Sequence, residues 1–139
     1  EIILIRGGIE MTSVKDLFQS ADWTKEKHVP VIEILEKDKE KGVRVRVSVG
    51  KEIPHPNTTA HHIAWIEVYF QPEGDKYPYH VGRFEFVAHG ATVQGPDTST
   101  VYSEPVVEFV FKTQKDGVIF ATSYCNIHGL WEGSAELKL

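Results

Sequence analysis

The strongest constraint on the fold is a strict two-residue alternation near the middle of the chain. From Val43 to Val49 every odd-numbered residue is valine, whereas the even-numbered positions carry arginine or serine. Because neighbouring side chains of an extended strand point to opposite faces, this pattern is typical of a strand with one buried and one solvent-facing side. Branched side chains at Cβ also favour the extended backbone. The segment therefore predicts one strand of a half-buried sheet.

Six further segments have the composition of strands, and turn sequences separate them. They cover residues 29–35, 63–70, 79–88, 105–112, 117–124 and 135–139. The Asp116-Gly117 pair between two of them is typical of a β-hairpin. Ser13, followed three residues later by Asp16, predicts a short N-terminal helix or turn. Seven short strands predict an all-β chain, an immunoglobulin-like antiparallel β-sandwich of about seven strands.

The length of 139 residues fits a single domain. The first ten residues precede the only methionine, Met11. We expect Met11 to be the natural first residue, residues 1–10 to be an N-terminal extension, and residues 11–139 to form one domain.

Charge and hydropathy exclude two classes of partner. The net charge is -5, which argues against a surface that binds nucleic acid, because phosphates require a basic face. No apolar run approaches the roughly 18 residues of a membrane-spanning helix. We therefore expect a cytoplasmic protein with no membrane partner.

The single cysteine and the spacing of several histidines are the features that raise the question of a metal site. One cysteine, Cys125, excludes an internal disulfide and a four-cysteine metal site. Cys125 and His128 have the spacing C-x-x-H, which brings two ligands together in a tight turn. His55 and His61 bracket a loop stiffened by Pro56. Any isolated histidine is more often a surface or hydrogen-bonded residue, and these two motifs together leave open both a metal site and a metal-free loop cluster.

The remaining histidines and the choice of metal leave alternatives open. His62 follows His61 directly, so on a strand only one of the two can face the metal. His80 and His89 lie outside the motifs and are expected to be structural. Five nitrogen and sulfur ligands suit iron better than four-coordinate zinc. A cupredoxin-type copper electron-transfer protein is the rival, although it normally uses an axial methionine that this chain lacks; a β-sandwich without metal is the third reading.

Three separated stretches resemble one known family. They are Asp22-Trp23 with Glu26-Lys27-His28-Val29-Pro30, His55-Pro56-Asn57 with Thr59 and His61-His62, and Tyr124-Cys125-Asn126-Ile127-His128-Gly129-Leu130-Trp131. In this order they resemble the one-iron superoxide reductases, also called neelaredoxins, of the desulfoferrodoxin family. The two-iron class carries an additional N-terminal iron domain with four cysteine ligands, which are absent here. The resemblance extends from Met11 to the C-terminus.

The resemblance implies a function and a role for each site residue. The implied enzyme is an oxidoreductase that reduces superoxide by one electron to hydrogen peroxide at one mononuclear non-haem iron. The implied equatorial ligands are His28, His55, His61 and His128, with Cys125 as the axial thiolate. Glu26 would fill the sixth position in the oxidised resting form, and Lys27 would lie beside the open position. A homotetramer and an electron donor such as rubredoxin are also implied, and backbone N–H groups near Asn126 and Ile127 are expected to bind the sulfur.

Overall fold

Two antiparallel sheets form the body of the chain, and the computed structural model describes all 139 residues. The strands are β1 Ile5–Arg6, β2 Ile9–Glu10, β3 Pro30–Asp38, β4 Gly42–Val49, β5 Ile63–Pro72, β6 Tyr79–Glu85, β7 Val106–Phe111, β8 Gly117–Cys125 and β9 Gly129–Leu137. One sheet has the order β3-β4-β7 and the other the order β6-β5-β8-β9. The predicted all-β sandwich is confirmed.

The core lies between the inner faces of these two sheets. Val43, Val45 and Val47 of β4 are fully buried, as their alternation predicts. They belong to one hydrophobic cluster with residues of the opposite sheet, among them Ile66 and Ile119. Each such side chain contributes about 1.5–3 kcal/mol to stability relative to an exposed position. This shared core fixes how the ends of the two sheets meet.

The last strand differs from its prediction. An edge strand was expected at 135–139, but β9 begins at Gly129 and pairs with β8 along its whole length, from Cys125 opposite Gly129 to Gly117 opposite Leu137. Its sequence contains no β-branched residue, so strand propensity does not reveal it. At Gly133 a side chain would meet the Pro30 carbonyl oxygen 2.4 Å away, so glycine allows β9 to approach the other sheet closely. The predicted strand 79–88 also ends earlier, at Glu85.

The Asp116-Gly117 turn does not form a hairpin, so that prediction is wrong. The strand before it, β7, pairs with β4, whereas the strand after it, β8, pairs with β5 and β9. The turn therefore carries the chain from one sheet to the other. Gly117 is needed there for close approach, because a Cβ atom would lie 2.3 Å from the carbonyl oxygen of Gln71.

The N-terminal residues form a small separate hairpin of β1 and β2. Arg6 attaches it to the following 3-10 turn, Val14–Leu17, by donating a hydrogen bond of 3.1 Å to the Leu17 carbonyl oxygen. That turn is the predicted N-terminal element, and the Asp16 carboxylate accepts a bond from the Ser13 backbone N–H at 3.0 Å. The chain has no helix long and apolar enough to cross a lipid bilayer.

Candidate metal centre

Three loops meet at one end of the sandwich. His28 lies just before β3, and His55 and His61 lie in the loop between β4 and β5. Cys125 ends β8, and His128 follows in the turn to β9. The start of β3 pairs with the end of β4, and the start of β5 pairs with the end of β8. These pairings bring the distant segments to the same end of the sandwich.

Four imidazole rings form a closed circuit around one point. Ring centroids lie 4.9 Å apart for His28 and His55, 4.7 Å for His55 and His61, 5.0 Å for His61 and His128, and 4.7 Å for His128 and His28. Nδ1 of His128 lies 3.1 Å from Nε2 of His28 and 3.2 Å from Nε2 of His61. We call these four histidines with Cys125 the metal centre.

The thiol of Cys125 lies against the rings on their buried side. Its Sγ is within 4.8 Å of the ligand atoms of His28, His55 and His61, and 3.8 Å from Nδ1 of His128. Cys125 is fully buried, whereas His128 is exposed. The metal centre therefore has a sulfur on its inner side and a route to solvent on its outer side.

Hydrogen bonds at the back of two rings select which nitrogen faces the centre. Nδ1 of His28 donates to the Glu26 carboxylate, and Nδ1 of His55 donates to the Pro56 carbonyl oxygen at 2.7 Å. Each ring is thereby held as the tautomer whose Nε2 is unprotonated. Nε2 of His55 is buried and has no hydrogen-bond partner.

The donor set fits a metal ion. An unpartnered buried acceptor costs about 1–3 kcal/mol, and a cation at the centre would satisfy Nε2 of His55 together with the neighbouring lone pairs. Imidazole nitrogens and a thiolate are ligands that iron, copper and zinc accept. Five such donors exceed the four that zinc prefers.

Burial keeps the imidazoles in the form that binds metals. It lowers the pKa of His55 to about 4. Burial also lowers the pKa of His28 and of His61, and the positive charge of Lys27 lowers both further. Neutral imidazole is the metal-binding form, so these rings are ready to coordinate at neutral pH.

Glu26 and Lys27 lie on the segment that leads into the metal centre. Oε1 of Glu26 accepts hydrogen bonds from the backbone nitrogen of His28 at 2.8 Å and from its Nδ1 at 2.5 Å. Burial favours a higher pKa for Glu26, but these bonds outweigh it and hold the pKa below its ordinary value. The Glu26 carboxylate is therefore ionised and engaged with His28.

The sulfur accepts a backbone hydrogen bond from His128, the residue that follows Ile127. The N–H of His128 donates to Cys125 Sγ at 3.3 Å. The N–H of Asn126, expected near the sulfur, donates instead to the His62 carbonyl oxygen at 3.2 Å. The tight turn of the C-x-x-H motif places the backbone N–H of His128, rather than that of Asn126, against the sulfur.

The other histidines lie outside the metal centre. The rings of His62 and His89 stack with centroids 3.5 Å apart, and Nδ1 of His62 donates to the Thr58 carbonyl oxygen at 2.9 Å. His80 lies 3.8 Å from the Glu67 carboxylate on the outer face of the larger sheet.

Two residues that were given no role from the sequence support the metal centre. Trp131 stacks on the ring of His28 at 4.9 Å, and its indole N–H donates to the His128 carbonyl oxygen at 3.2 Å. Nε2 of Gln19 donates to the same oxygen at 3.0 Å. Trp131 belongs to a stretch that resembles the family, whereas no local pattern marks Gln19, which lies more than 100 residues from His128.

Comparisons with known proteins agree with this site. The desulfoferrodoxin family profile matches residues 20–134. The superoxide reductase of Pyrococcus furiosus is 58% identical over 125 residues, covering 90% of this chain and 99% of that protein. The neelaredoxin of Megalodesulfovibrio gigas is 54% identical over 125 residues, covering 89% of this chain and 96% of that protein.

A solved structure has the same fold. The superoxide reductase (neelaredoxin) from Archaeoglobus fulgidus in the reduced form superposes with a TM-score of 0.85 and 67% sequence identity. The match covers 88% of this chain and 99% of that one. The agreement therefore includes nearly the whole sandwich and the loops that carry the metal centre.

Proposed function

The chain belongs to the desulfoferrodoxin family, in its one-iron superoxide reductase class, and on that premise we propose how its residues perform the reaction. The proposed activity is reduction of superoxide by one electron and two protons to hydrogen peroxide. The convergence of four imidazoles on one buried thiol carries the proposal. Blue-copper sites combine two histidines, one cysteine and a weak axial ligand, so this donor set favours iron over the cupredoxin alternative.

We propose that one iron ion is held by the five side chains of the metal centre. Bound iron would supply the electron that superoxide receives. The neutral imidazoles fix the ion's position, and the buried Cys125 lies on the side away from solvent. A metal-bound cysteine is a thiolate, and the N–H of His128 stabilises its negative charge.

Lys27 is proposed to attract the substrate and to supply a proton. Superoxide is a small anion, and its approach depends on the local field rather than on the net charge of -5. The positive charge of Lys27 lowers the pKa of His28, His55 and His61, which supports a role for its ammonium at the metal centre. An ammonium N–H can donate a hydrogen bond to an oxygen atom there, transfer that proton to it and regain a proton from water, and water supplies the second proton.

Glu26 is proposed as the exchangeable sixth ligand of the oxidised iron. Its carboxylate is ionised and lies one residue from Lys27 on the same segment. The Glu26 carboxylate in the sixth position would keep other anions from binding there when superoxide is absent. Release of the carboxylate would return it to His28, which already offers two hydrogen-bond donors.

The remaining assignments rest on the family. We propose rubredoxin or a similar small redox protein as electron donor, because each turnover consumes one electron. A homotetramer, a cytoplasmic location and a domain of residues 11–139 preceded by an extension of residues 1–10 are proposed on the same ground.

The stoichiometry of the reaction tests the proposed function. Anaerobic protein with iron reduced beforehand is mixed with superoxide, and hydrogen peroxide and dioxygen are measured. We expect one peroxide for each superoxide consumed and no dioxygen. One peroxide for every two superoxide molecules, with dioxygen released, is dismutation and would contradict the proposal.

A further inference from the structure

The side chain of Asn126 joins the two loops that carry most of the metal centre. We propose that Asn126 is a positioning residue that holds these loops in the geometry needed to bind the metal. The inference rests on the proposed function only in taking the five side chains as metal ligands. Asn126 itself has no atom among those donors.

Three hydrogen bonds carry the inference. Nδ2 of Asn126 donates to the Ala60 carbonyl oxygen at 2.9 Å, and its Oδ1 accepts from the His62 backbone N–H at 2.9 Å. The Asn126 backbone N–H donates to the His62 carbonyl oxygen at 3.2 Å. The bonds therefore enclose His61, whose two chain neighbours are both held by one residue.

The same bonds also fix the loop that carries Cys125 and His128. Asn126 directly follows Cys125, and Cys125 faces Ile63 in the last pair of the ladder between β5 and β8. The side chain of Asn126 thus continues this ladder past the point where regular pairing ends. Other than the contact between the rings of His61 and His128, these three bonds are the hydrogen bonds that join the two loops.

The position requires an amide of this length. One side must donate to a carbonyl oxygen and the other must accept from an N–H, which asparagine does and neither aspartate nor alanine does. Aspartate would place an oxygen against the Ala60 carbonyl oxygen, 2.9 Å from the present donor.

The other anchors of the histidine loop lie on its far side. Nδ2 of Asn57 donates to the Ser103 carbonyl oxygen at 2.9 Å, and the Thr59 N–H donates to Asp97 Oδ1 at 2.8 Å. These bonds attach the loop to the segment before β7, not to Cys125. Without the Asn126 side chain, the backbone bond from Asn126 to His62 and the pairing of Cys125 with Ile63 would be the remaining hydrogen-bonded links between the sulfur and the chain around His61.

Cobalt binding tests the inference without using the enzyme's activity. The metal-free full chain is titrated with Co²⁺ against a competing chelator, and the thiolate-to-cobalt absorption is followed. We expect Asn126→Ala to weaken Co²⁺ binding by about 10–100-fold, the usual effect of losing a group that orients ligands. Gln114→Ala is the matched control, because its amide also bonds a distant carbonyl, that of Lys39, at 3.0 Å at the opposite end of the sandwich.

A second variant separates geometry from charge and from folding. Asn126→Asp keeps the acceptor for His62 but loses the donor for Ala60 and adds a negative charge. Charge alone would strengthen binding of a divalent cation, so weaker Co²⁺ binding than in the unmodified chain supports the inference. Circular dichroism of the metal-free variants checks that both are folded.

The inference is overturned if Asn126→Ala binds Co²⁺ as tightly as Gln114→Ala does, or if Asn126→Asp binds it more tightly than the unmodified chain. Failure of the proposed function would be seen elsewhere. It would appear in the unmodified chain, as absence of superoxide reduction by the iron-loaded protein, whatever the Co²⁺ affinities of the variants.

Discussion

Oε1 of Glu26 lies 2.5 Å from Nδ1 of His28 and 2.8 Å from the backbone nitrogen of the same residue. One carboxylate oxygen therefore sets both the tautomer of this imidazole and the backbone conformation next to it. The acid that is proposed to bind oxidised iron also orients one of the histidines proposed as iron ligands.

Replacement of Glu26 separates these two roles. Glu26→Gln keeps an oxygen that can accept from His28 but removes the carboxylate, whereas Glu26→Ala removes both. We expect both variants to retain iron and to have altered spectra in the oxidised form. Metal affinity should fall about tenfold in Glu26→Ala and much less in Glu26→Gln. Complete loss of iron from Glu26→Ala would show that the carboxylate is an obligatory ligand, contrary to the role proposed.

Lys27 should govern the rate at which superoxide arrives. Lys27→Ala is expected to slow superoxide reduction by at least about tenfold at low ionic strength and to flatten its salt dependence, because local charge steers small anions. Pulse radiolysis at several salt concentrations measures both effects. Lys25→Ala is the matched control, since Lys25 is an exposed lysine that lies two residues before Lys27 in the chain. Equal rates for the two variants at low salt would remove Lys27 from the mechanism.

His61 and His62 should differ sharply although they are adjacent. The ring of His61 contacts His55 and His128, whereas the ring of His62 stacks on His89. We expect His61→Ala to lose most of its bound iron and His62→Ala to retain it, as measured by metal analysis after anaerobic purification. Equal iron loss in the two variants would mean that the His62–His89 stack controls the site.

The burial of His55 should make the metal-free protein sensitive to acid. Its pKa is about 4 in the folded chain, against 6.5 for an ordinary histidine. Between these values the unfolded chain binds a proton that the folded chain does not, so the free energy of unfolding falls as the pH is lowered from about 6.5 to about 4. The contribution is about 3 kcal/mol.

Urea unfolding of the metal-free protein at several pH values measures this loss. His55→Gln removes the titrating ring, so its free energy of unfolding should decrease less over the same pH range. A decrease as large as in the unmodified chain would assign the acid sensitivity to other groups.

Much of the fold could be predicted because its signals are local. The alternation of Val43 to Val49 depends only on the geometry of one strand, and β4 has those residues buried. Which strands pair is decided between distant segments. The Asp116-Gly117 turn has the sequence of a hairpin, yet the shared core directs β7 and β8 into different sheets.

In the metal centre, too, local features could be predicted from the sequence, whereas contacts between distant segments could not. The C-x-x-H spacing and the His55–His61 loop are visible in the sequence, because a metal requires particular side chains. The residues that support them, such as Gln19 and Asn126, act through backbone atoms of distant loops. A bond to a backbone atom leaves no mark on the identity of its partner, so only the three-dimensional structure reveals it.

The central claim is that Cys125 and four imidazoles bind one iron ion. The most direct test is the visible spectrum of the oxidised protein, taken with its iron content, for the unmodified chain and for Cys125→Ser. We expect about one iron per chain and a thiolate-to-iron charge-transfer band that disappears in Cys125→Ser. Persistence of that band without the sulfur, or an unmodified chain that binds no iron, would contradict the account.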